Sequence, residues 1–122
     1  MKLIKIEGGR INVYEPQILT TDEEVVAGEA LVLDGGMLTK CATTTKPTFV
    51  ALASVKPTTE TPVVEVAVGR VEPNQIYEVA LPGDVTVGAK YALDADATGI
   101  STTTGTVAEV VYADASVAHV RF

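Results

Sequence analysis

Alternating oxygen-bearing side chains in one short run suggest a cation site. The run Asp94-Ala95-Asp96-Ala97-Thr98-Gly99 has the spacing that opens a calcium-binding loop. The twelfth position of such a loop supplies a bidentate carboxylate, but here it is Gly105. The pattern also predicts no flanking helices. We therefore interpret the run as a hairpin turn, with Gly99 as a structural turn residue, and predict no metal site.

The other reactive residues stand alone. His119 is the only histidine and Cys41 the only cysteine, whereas a nucleophile needs a base within hydrogen-bond reach and a metal needs several ligands. We expect His119 on the polar face of a terminal strand and Cys41 as a small buried residue. Lys40 follows a turn inside a strand, so it is not presented at a hairpin tip as the modified lysine of a biotin or lipoyl carrier is. The sequence predicts no catalytic residue, no cofactor and no enzyme.

One sequence pattern occurs twice in the chain, about half a chain length apart, and we call it the sequence echo. Both copies read Val-x-x-Gly-x-x-x-x-Leu-Asp and are offset by 60 positions. Their members are Val25, Gly28, Leu33 and Asp34 in the first copy, and Val85, Gly88, Leu93 and Asp94 in the second. The echo predicts two copies of one hairpin unit, with Gly28 and Gly88 as structural turn residues.

Period-two alternation predicts an all-β fold with at most one short helical turn. The most distinct hairpin surrounds Asp34-Gly35-Gly36, where Gly35 and Gly36 supply positive φ. The other strands are predicted at 3–6, 11–14, 49–55, 63–70, 76–81, 90–93, 107–112 and 116–122. About ten short strands indicate a small β-barrel or β-sandwich, β-tulip-like, with two hairpin units around one core. We expect one domain, 1–122, in which 1–20 is a strand-forming N-terminal segment or arm.

Composition and charge limit the type of core and the classes of partner that we expect. The chain is 47% hydrophobic but only 5% aromatic, without tryptophan, which favours a core of small and β-branched side chains. A formal charge of −7 disfavours nucleic acid, because binding a polyanion requires a basic stripe. The sequence has no signal-peptide pattern and no apolar run of about 18 residues, so we expect synthesis in the cytoplasm and no membrane insertion.

Part of the chain resembles the capsid decoration (cement) proteins of tailed bacteriophages. The resemblance lies in the hairpin from Gly28 to Cys41, the small-residue strand from Thr48 to Val55, and the alternating strand from Val63 to Val71 with Tyr77-Glu78-Val79. It covers residues 25–80 and implies a β-tulip or barrel-like domain that clamps major capsid protein subunits on the outside of the head. It also implies a homo-oligomer, with a trimer favoured and a dimer possible, in the virion.

The first 20 residues are the candidate capsid contact. Fully extended, they reach about 60 Å, enough to add a strand to the sheet of a neighbouring subunit. Pairing inside their own domain is the alternative. The residues that decide between the two, and that we name as capsid-binding candidates, are Leu3, Ile4, Ile6, Ile11 and Val13.

A carbohydrate- or surface-binding β-sandwich, from a phage fibre or a bacterial surface protein, is the alternative function. Sugar sites use aromatic side chains as stacking platforms. This reading therefore requires Tyr14, Tyr77, Tyr91 and Tyr112 to gather on one face.

Overall fold

Two antiparallel sheets make up the domain. The computed structural model of the chain describes residues 1–7, 14–19 and 23–122, and of 14–16 only the backbone. These residues form eleven strands and no α-helix, and none of them forms a helix able to cross a membrane. The strands are β1 Lys2–Ile6, β2 Tyr14–Ile18, β3 Ala30–Asp34, β4 Met37–Lys40, β5 Phe49–Ala51, β6 Glu65–Arg70, β7 Gln75–Ala80, β8 Lys90–Leu93, β9 Ile100–Thr104, β10 Ala108–Ala113 and β11 Val117–Arg121.

The strand order is the same in both sheets apart from one added strand. The five-stranded sheet has the order β2-β6-β5-β3-β4, and the six-stranded sheet has the order β1-β7-β11-β10-β8-β9. Five successive strands of the chain, β2 to β6 or β7 to β11, thus occupy matching positions. The glycines of the sequence echo also share one conformation, with φ of +88° at Gly28 and +89° at Gly88.

The five-stranded sheet curls around a core of its own. Leu31, Phe49 and Val68 lie on its inner face and are fully buried. Leu19 and Leu38 complete this core and form one parallel bridge, which brings the edge strands β2 and β4 together. One bridge is not a continuous ladder, so the sheet does not close into a barrel. The all-β class predicted from alternation is confirmed, in the form of a small sandwich.

A second core lies between the two sheets. Tyr77, Val110 and Val120 of the six-stranded sheet pack in one cluster with Val50 of the curled sheet. Because side chains alternate along a strand, Phe49 and Val50 of β5 belong to different cores. The central strand therefore supports both sheets.

Several predicted strands differ in extent from the observed ones. β5 ends at Ala51 rather than at residue 55, and it is the central strand of the five-stranded sheet. β9 was absent from the predicted strands, because its Ser-Thr-Thr-Thr segment has no apolar alternation. The predicted strand at 11–14 lies mostly outside the described residues, and β2 runs through 14–18. In β6 the predicted alternation is confirmed: Val66 and Val68 are buried, and Glu65 and Ala67 are exposed.

Candidate docking site

An open groove lies where strand β1 approaches the curled sheet. We call it the β1 groove. It has a volume of about 440 Å³ and is lined mainly by apolar and small residues, namely Leu3, Gly28, Val50, Leu52, Gly69 and Tyr77. Gly69 pairs with Val50 in the neighbouring strand, so the missing side chain leaves space beside Val50. Leu52 is 41% exposed, which puts an apolar side chain at the rim.

The first residue of the chain anchors β1 beside this groove. The α-amine of Met1 donates hydrogen bonds of 2.8 Å to the carbonyls of Gly28 and Thr98. Burial lowers the pKa of this amine, and the Asp94 carboxylate partly offsets that effect. Gly28 precedes β3, and Thr98 lies in the β8–β9 turn, so one amine joins both sheets.

Gly28 is required by this approach as well as by its backbone angle. A Cβ atom placed on Gly28 would lie 2.7 Å from the Met1 nitrogen and 2.8 Å from the Met1 oxygen. Side chains do not tolerate such distances, and φ of +88° is in the region that favours glycine. The sequence identified the turn, but the contact with Met1 is 27 residues away and has no sequence signal.

The capsid-binding candidates do not share one environment. Strand β1 pairs antiparallel with β7, with Leu3 opposite Tyr77, so residues 2–6 pair inside their own domain. Leu3 packs against the core between the sheets, and Ile6 is half-buried. Ile4 lies at the irregularity between Leu3 and Lys5 and is 40% exposed. Ile11 and Val13 lie outside the described residues.

Among the described residues, strand β1 is an edge strand. It is the first strand in the order of the six-stranded sheet, and an edge strand directs alternate N–H and C=O groups away from its partner. The described residues thus join three features at one place: a strand edge, an apolar groove and the exposed Leu52. Of the residues that line the β1 groove, the sequence analysis named Leu3 but not Val50, Leu52 or Gly69, because only the approach of the two sheets brings these three beside Leu3.

The lone cysteine is chemically quiet. Cys41 is 3% exposed, and burial, followed by the nearby Glu29 carboxylate, raises the pKa of its thiol to about 12. The thiol therefore stays protonated at neutral pH. The expectation of a small buried residue is confirmed.

Glu29 is a buried carboxyl group beside Cys41. Only 4% of the residue is exposed, and its Oε2 accepts a 3.0 Å hydrogen bond from the Val26 amide. Burial raises the pKa of this carboxyl above its ordinary value, while the Val26 hydrogen bond and the charge of Lys40 act in the opposite direction.

The raised pKa of Glu29 predicts a pH-dependent stability difference. A folded-state pKa above the unfolded value means that its stabilising contribution is full below pH 4.5 and is lost as pH rises through the folded pKa. Glu29→Gln can retain the bond from Val26 without the charge, so we expect it to exceed the wild type in stability at pH 7 by about 1 kcal/mol. Urea unfolding at pH 7 and pH 3.5 checks this. An advantage that persists undiminished at pH 3.5 would contradict it.

The turn at 94–99 holds its carboxylate with backbone contacts. Asp94 Oδ1 accepts a 3.0 Å hydrogen bond from the Thr98 amide. A Cβ atom on Gly99 would lie 2.9 Å from Asp94 Oδ2, so glycine is needed there for the carboxylate rather than for a positive φ. Ala97 supplies the positive φ of this turn, 57°, and is fully buried. The described residues contain no group of three or more His, Cys, Asp or Glu side chains suited to a metal.

His119 lies on the outer face of the six-stranded sheet. Its Nε2 is 3.5 Å from a Glu78 carboxylate oxygen, and its ring centroid is 4.8 Å from that of Tyr112. The Tyr112 hydroxyl donates a 3.3 Å hydrogen bond to Asp114. The predicted polar face is therefore confirmed.

The four tyrosines are distributed over separate parts of the molecule. Tyr77 and Tyr91 are buried, at 2% and 7% exposure, whereas Tyr112 is 47% exposed. Tyr14 begins β2, in the other sheet. The gathering on one face that the carbohydrate-binding alternative requires does not occur.

Comparison with known protein families, with curated proteins and with solved structures finds no match to this chain. What can be proposed about its function therefore comes from its own residues and geometry.

Proposed function

We propose that this chain is a structural protein that docks onto the outside of a phage head and stabilises the lattice of the major capsid protein. The observation that carries the proposal is the β1 groove beside the edge strand β1. The resemblance of residues 25–80 to decoration proteins supports the identity of the partner. The groove and the strand edge support the proposed class of function, protein docking.

The two parts of this site suit an extended segment of a capsid subunit. A strand added to a sheet edge gains main-chain hydrogen bonds, and a neighbouring groove receives alternate side chains of the added strand. Leu52 and Val50 line the groove, and Gly69 leaves space beside them. We expect a large apolar side chain of the capsid segment to fill this space.

Head binding tests this proposal directly. Purified protein is mixed with expanded, DNA-free heads of the phage that carries the gene, and the bound fraction is measured by co-sedimentation. We expect saturable binding by the wild-type chain. Leu52→Asp places a charge at the groove rim, and we expect it to weaken binding at least tenfold, which corresponds to about 1.4 kcal/mol.

The matched control is Leu33→Asp. Leu33 is 44% exposed, close to the 41% of Leu52, but it does not line the β1 groove. We expect this control to bind heads like the wild type. The proposal would be contradicted if heads did not bind the wild-type protein, or if they bound Leu52→Asp and Leu33→Asp equally well. A glycan-array signal without head binding would favour the carbohydrate-binding alternative.

A further inference from the structure

The opposite edge of the six-stranded sheet carries a second strand edge. Strand β9 is the last strand in that order, and β8 is its only paired neighbour among the strands that the structure describes. The exposed amide of Thr103 donates a 3.1 Å hydrogen bond to the Ser101 hydroxyl, so this amide has a side chain rather than a strand as its partner. An added strand can take over such an amide.

A groove runs beside this edge, which we call the β9 groove. Its volume is about 520 Å³, and its lining includes Ala92, Leu93, Thr103, Thr104 and Val107. Short side chains of this kind leave room for the alternate side chains of an extended segment.

A small cationic depression adjoins the β9 groove. It has a volume of about 130 Å³, and three basic residues, Lys46, Lys90 and Arg121, outnumber one acidic residue, Glu109, in its lining. Thr106 and Val107 line both the groove and the depression, so the two are continuous.

The cations of the depression are only partly neutralised. Arg121 contacts Glu109 and Glu7 at 3.7 Å, whereas Lys46 and Lys90 make no ion pair with any described residue. Three of the nine Lys and Arg residues thus meet at one place in a chain of charge −7. The depression is large enough to admit a carboxylate group, and its basic side chains are complementary in charge to one.

The two ends of the β9 groove differ in charge. Asp94 lines the end of the β9 groove near Ile100, because Leu93 pairs with Ile100. The cationic depression lies at the Thr104 end, because Thr104 pairs with Tyr91, next to Lys90. Asp94 follows Lys90 by four positions, so the two ends lie about 13 Å apart at about 3.3 Å per residue.

We propose that the β9 edge, the β9 groove and the cationic depression form one binding site for an extended acidic segment of a partner protein. The segment adds to β9 as an antiparallel strand, as every other pair in this sheet is antiparallel. Its small apolar side chains enter the groove. Its carboxylates enter the depression from its N-terminal end, which antiparallel pairing places beside Thr104.

This site stands apart from the β1 groove. The two grooves have no lining residue in common, although the Met1 amine, beside the β1 groove, donates a hydrogen bond to Thr98 in the turn that precedes β9. A protein with a docking site at each edge can join two neighbouring subunits. The β9 site does not depend on the head-docking proposal, and each is tested with a different partner.

A synthetic peptide tests the β9 site. The probe is an acetylated, amidated peptide that begins with two glutamates and continues with alternating valine and threonine over four residues. We expect a Kd at or below about 1 mM, which corresponds to about −4 kcal/mol, by calorimetry at low salt. Amide NMR shifts are expected to be concentrated at residues 100–107. The peptide and the protein are both negatively charged, so net charge alone predicts no binding.

Variants and control peptides separate the contribution of charge from that of strand addition. We expect Lys46→Glu combined with Lys90→Glu to weaken binding about tenfold. Lys2→Glu combined with Lys56→Glu makes the same change in net charge at residues that do not line the depression, and we expect this variant to bind the peptide like the wild type. A peptide with lysines in place of the glutamates, and one with prolines that remove alternate amide donors, are both expected to bind weakly.

Three results would overturn this inference. The first is a peptide that does not bind, or that shifts amides elsewhere. The second is inorganic phosphate that displaces the peptide completely, which would indicate an anion site without strand addition. The third is a self-association that buries residues 100–107 in wild-type protein and vanishes with the Lys46 and Lys90 changes, which would identify a second copy as the occupant.

Discussion

Gly28→Ala is expected to lower the free energy of unfolding by about 3 kcal/mol. A left-handed backbone costs a non-glycine residue about 1–2 kcal/mol. The new methyl group would lie 2.7 Å from the Met1 nitrogen, so Met1 must move. Its α-amine then loses the hydrogen bonds to Gly28 and Thr98, each contributing about 1 kcal/mol. Denaturant unfolding measures the total.

Gly88→Ala is the matched control. Gly88 has φ of +89°, but a Cβ atom there would meet no atom within 4 Å. The two substitutions thus share the backbone cost and differ in the contact with Met1. We expect Gly88→Ala to cost only about 1 kcal/mol. Equal losses from the two substitutions would contradict a structural role for the Met1 anchor.

Local loss of protection at β1 is the second measurement on Gly28→Ala. Strand β1 has one paired neighbour, β7, and Met1 holds its beginning. Without the anchor, the amides of Leu3 and Lys5 should exchange with solvent faster than in the wild type, while those of β10 remain protected. Because β1 borders the β1 groove, the same variant should also weaken head binding.

Features with a local cause could be predicted from the sequence. The hairpin at Asp34-Gly35-Gly36 is a two-residue turn with φ of +58° and +81°, as its glycines indicate, and Asp34 pairs with Met37. The alternation of β6 identified its buried face. Both features depend on local signals, namely the alternation of apolar and polar residues and the residue types of a tight turn. A few consecutive residues are enough to show them.

The remaining features arise from contacts between distant residues. The β1 groove needs Leu3 of one sheet beside Val50 of the other, and the β9 depression needs Lys46 beside Lys90 and Arg121. Strand β9 itself is held by its place beside β8 rather than by apolar alternation. In the 94–99 turn, Ala97 rather than a glycine adopts positive φ, which no propensity scale indicates.

The shared strand order of the two sheets clarifies the role of β1. Within the six-stranded sheet, β1 covers the edge of β7, whose counterpart in the curled sheet is β2. In the curled sheet, curvature brings β2 against β4 through the Leu19–Leu38 bridge instead. Each sheet thus protects this edge in a different way, and β1 becomes the exposed edge in place of β7.

Phe49→Ala is expected to cost about 3–5 kcal/mol, a large part of the stability of a domain this size. Phe49 is fully buried in the core of the curled sheet, and the Arg70 guanidinium lies 4.9 Å from its ring centroid. The neighbouring Val50 packs against Tyr77 in the other core. A cavity at Phe49 therefore loosens the strand that both cores share, so we expect one cooperative transition. Circular dichroism and tyrosine fluorescence, to which the buried Tyr77 and Tyr91 contribute, should give the same midpoint.

Two further variants show whether the loss of stability in Phe49→Ala comes from the cavity in the core. Phe49→Leu keeps most of the volume and should cost less than about 1.5 kcal/mol. Leu33→Ala alters the neighbouring strand β3 at a position that is 44% exposed, and it should cost less than about 1 kcal/mol because little buried surface is removed. Separate midpoints for the two probes in Phe49→Ala would contradict the single unit, because the inter-sheet core would then outlast the curled sheet. A coincident midpoint would mean that β5 couples the two cores, and that both edges of the six-stranded sheet depend on the side chain of Phe49, which lies at neither edge.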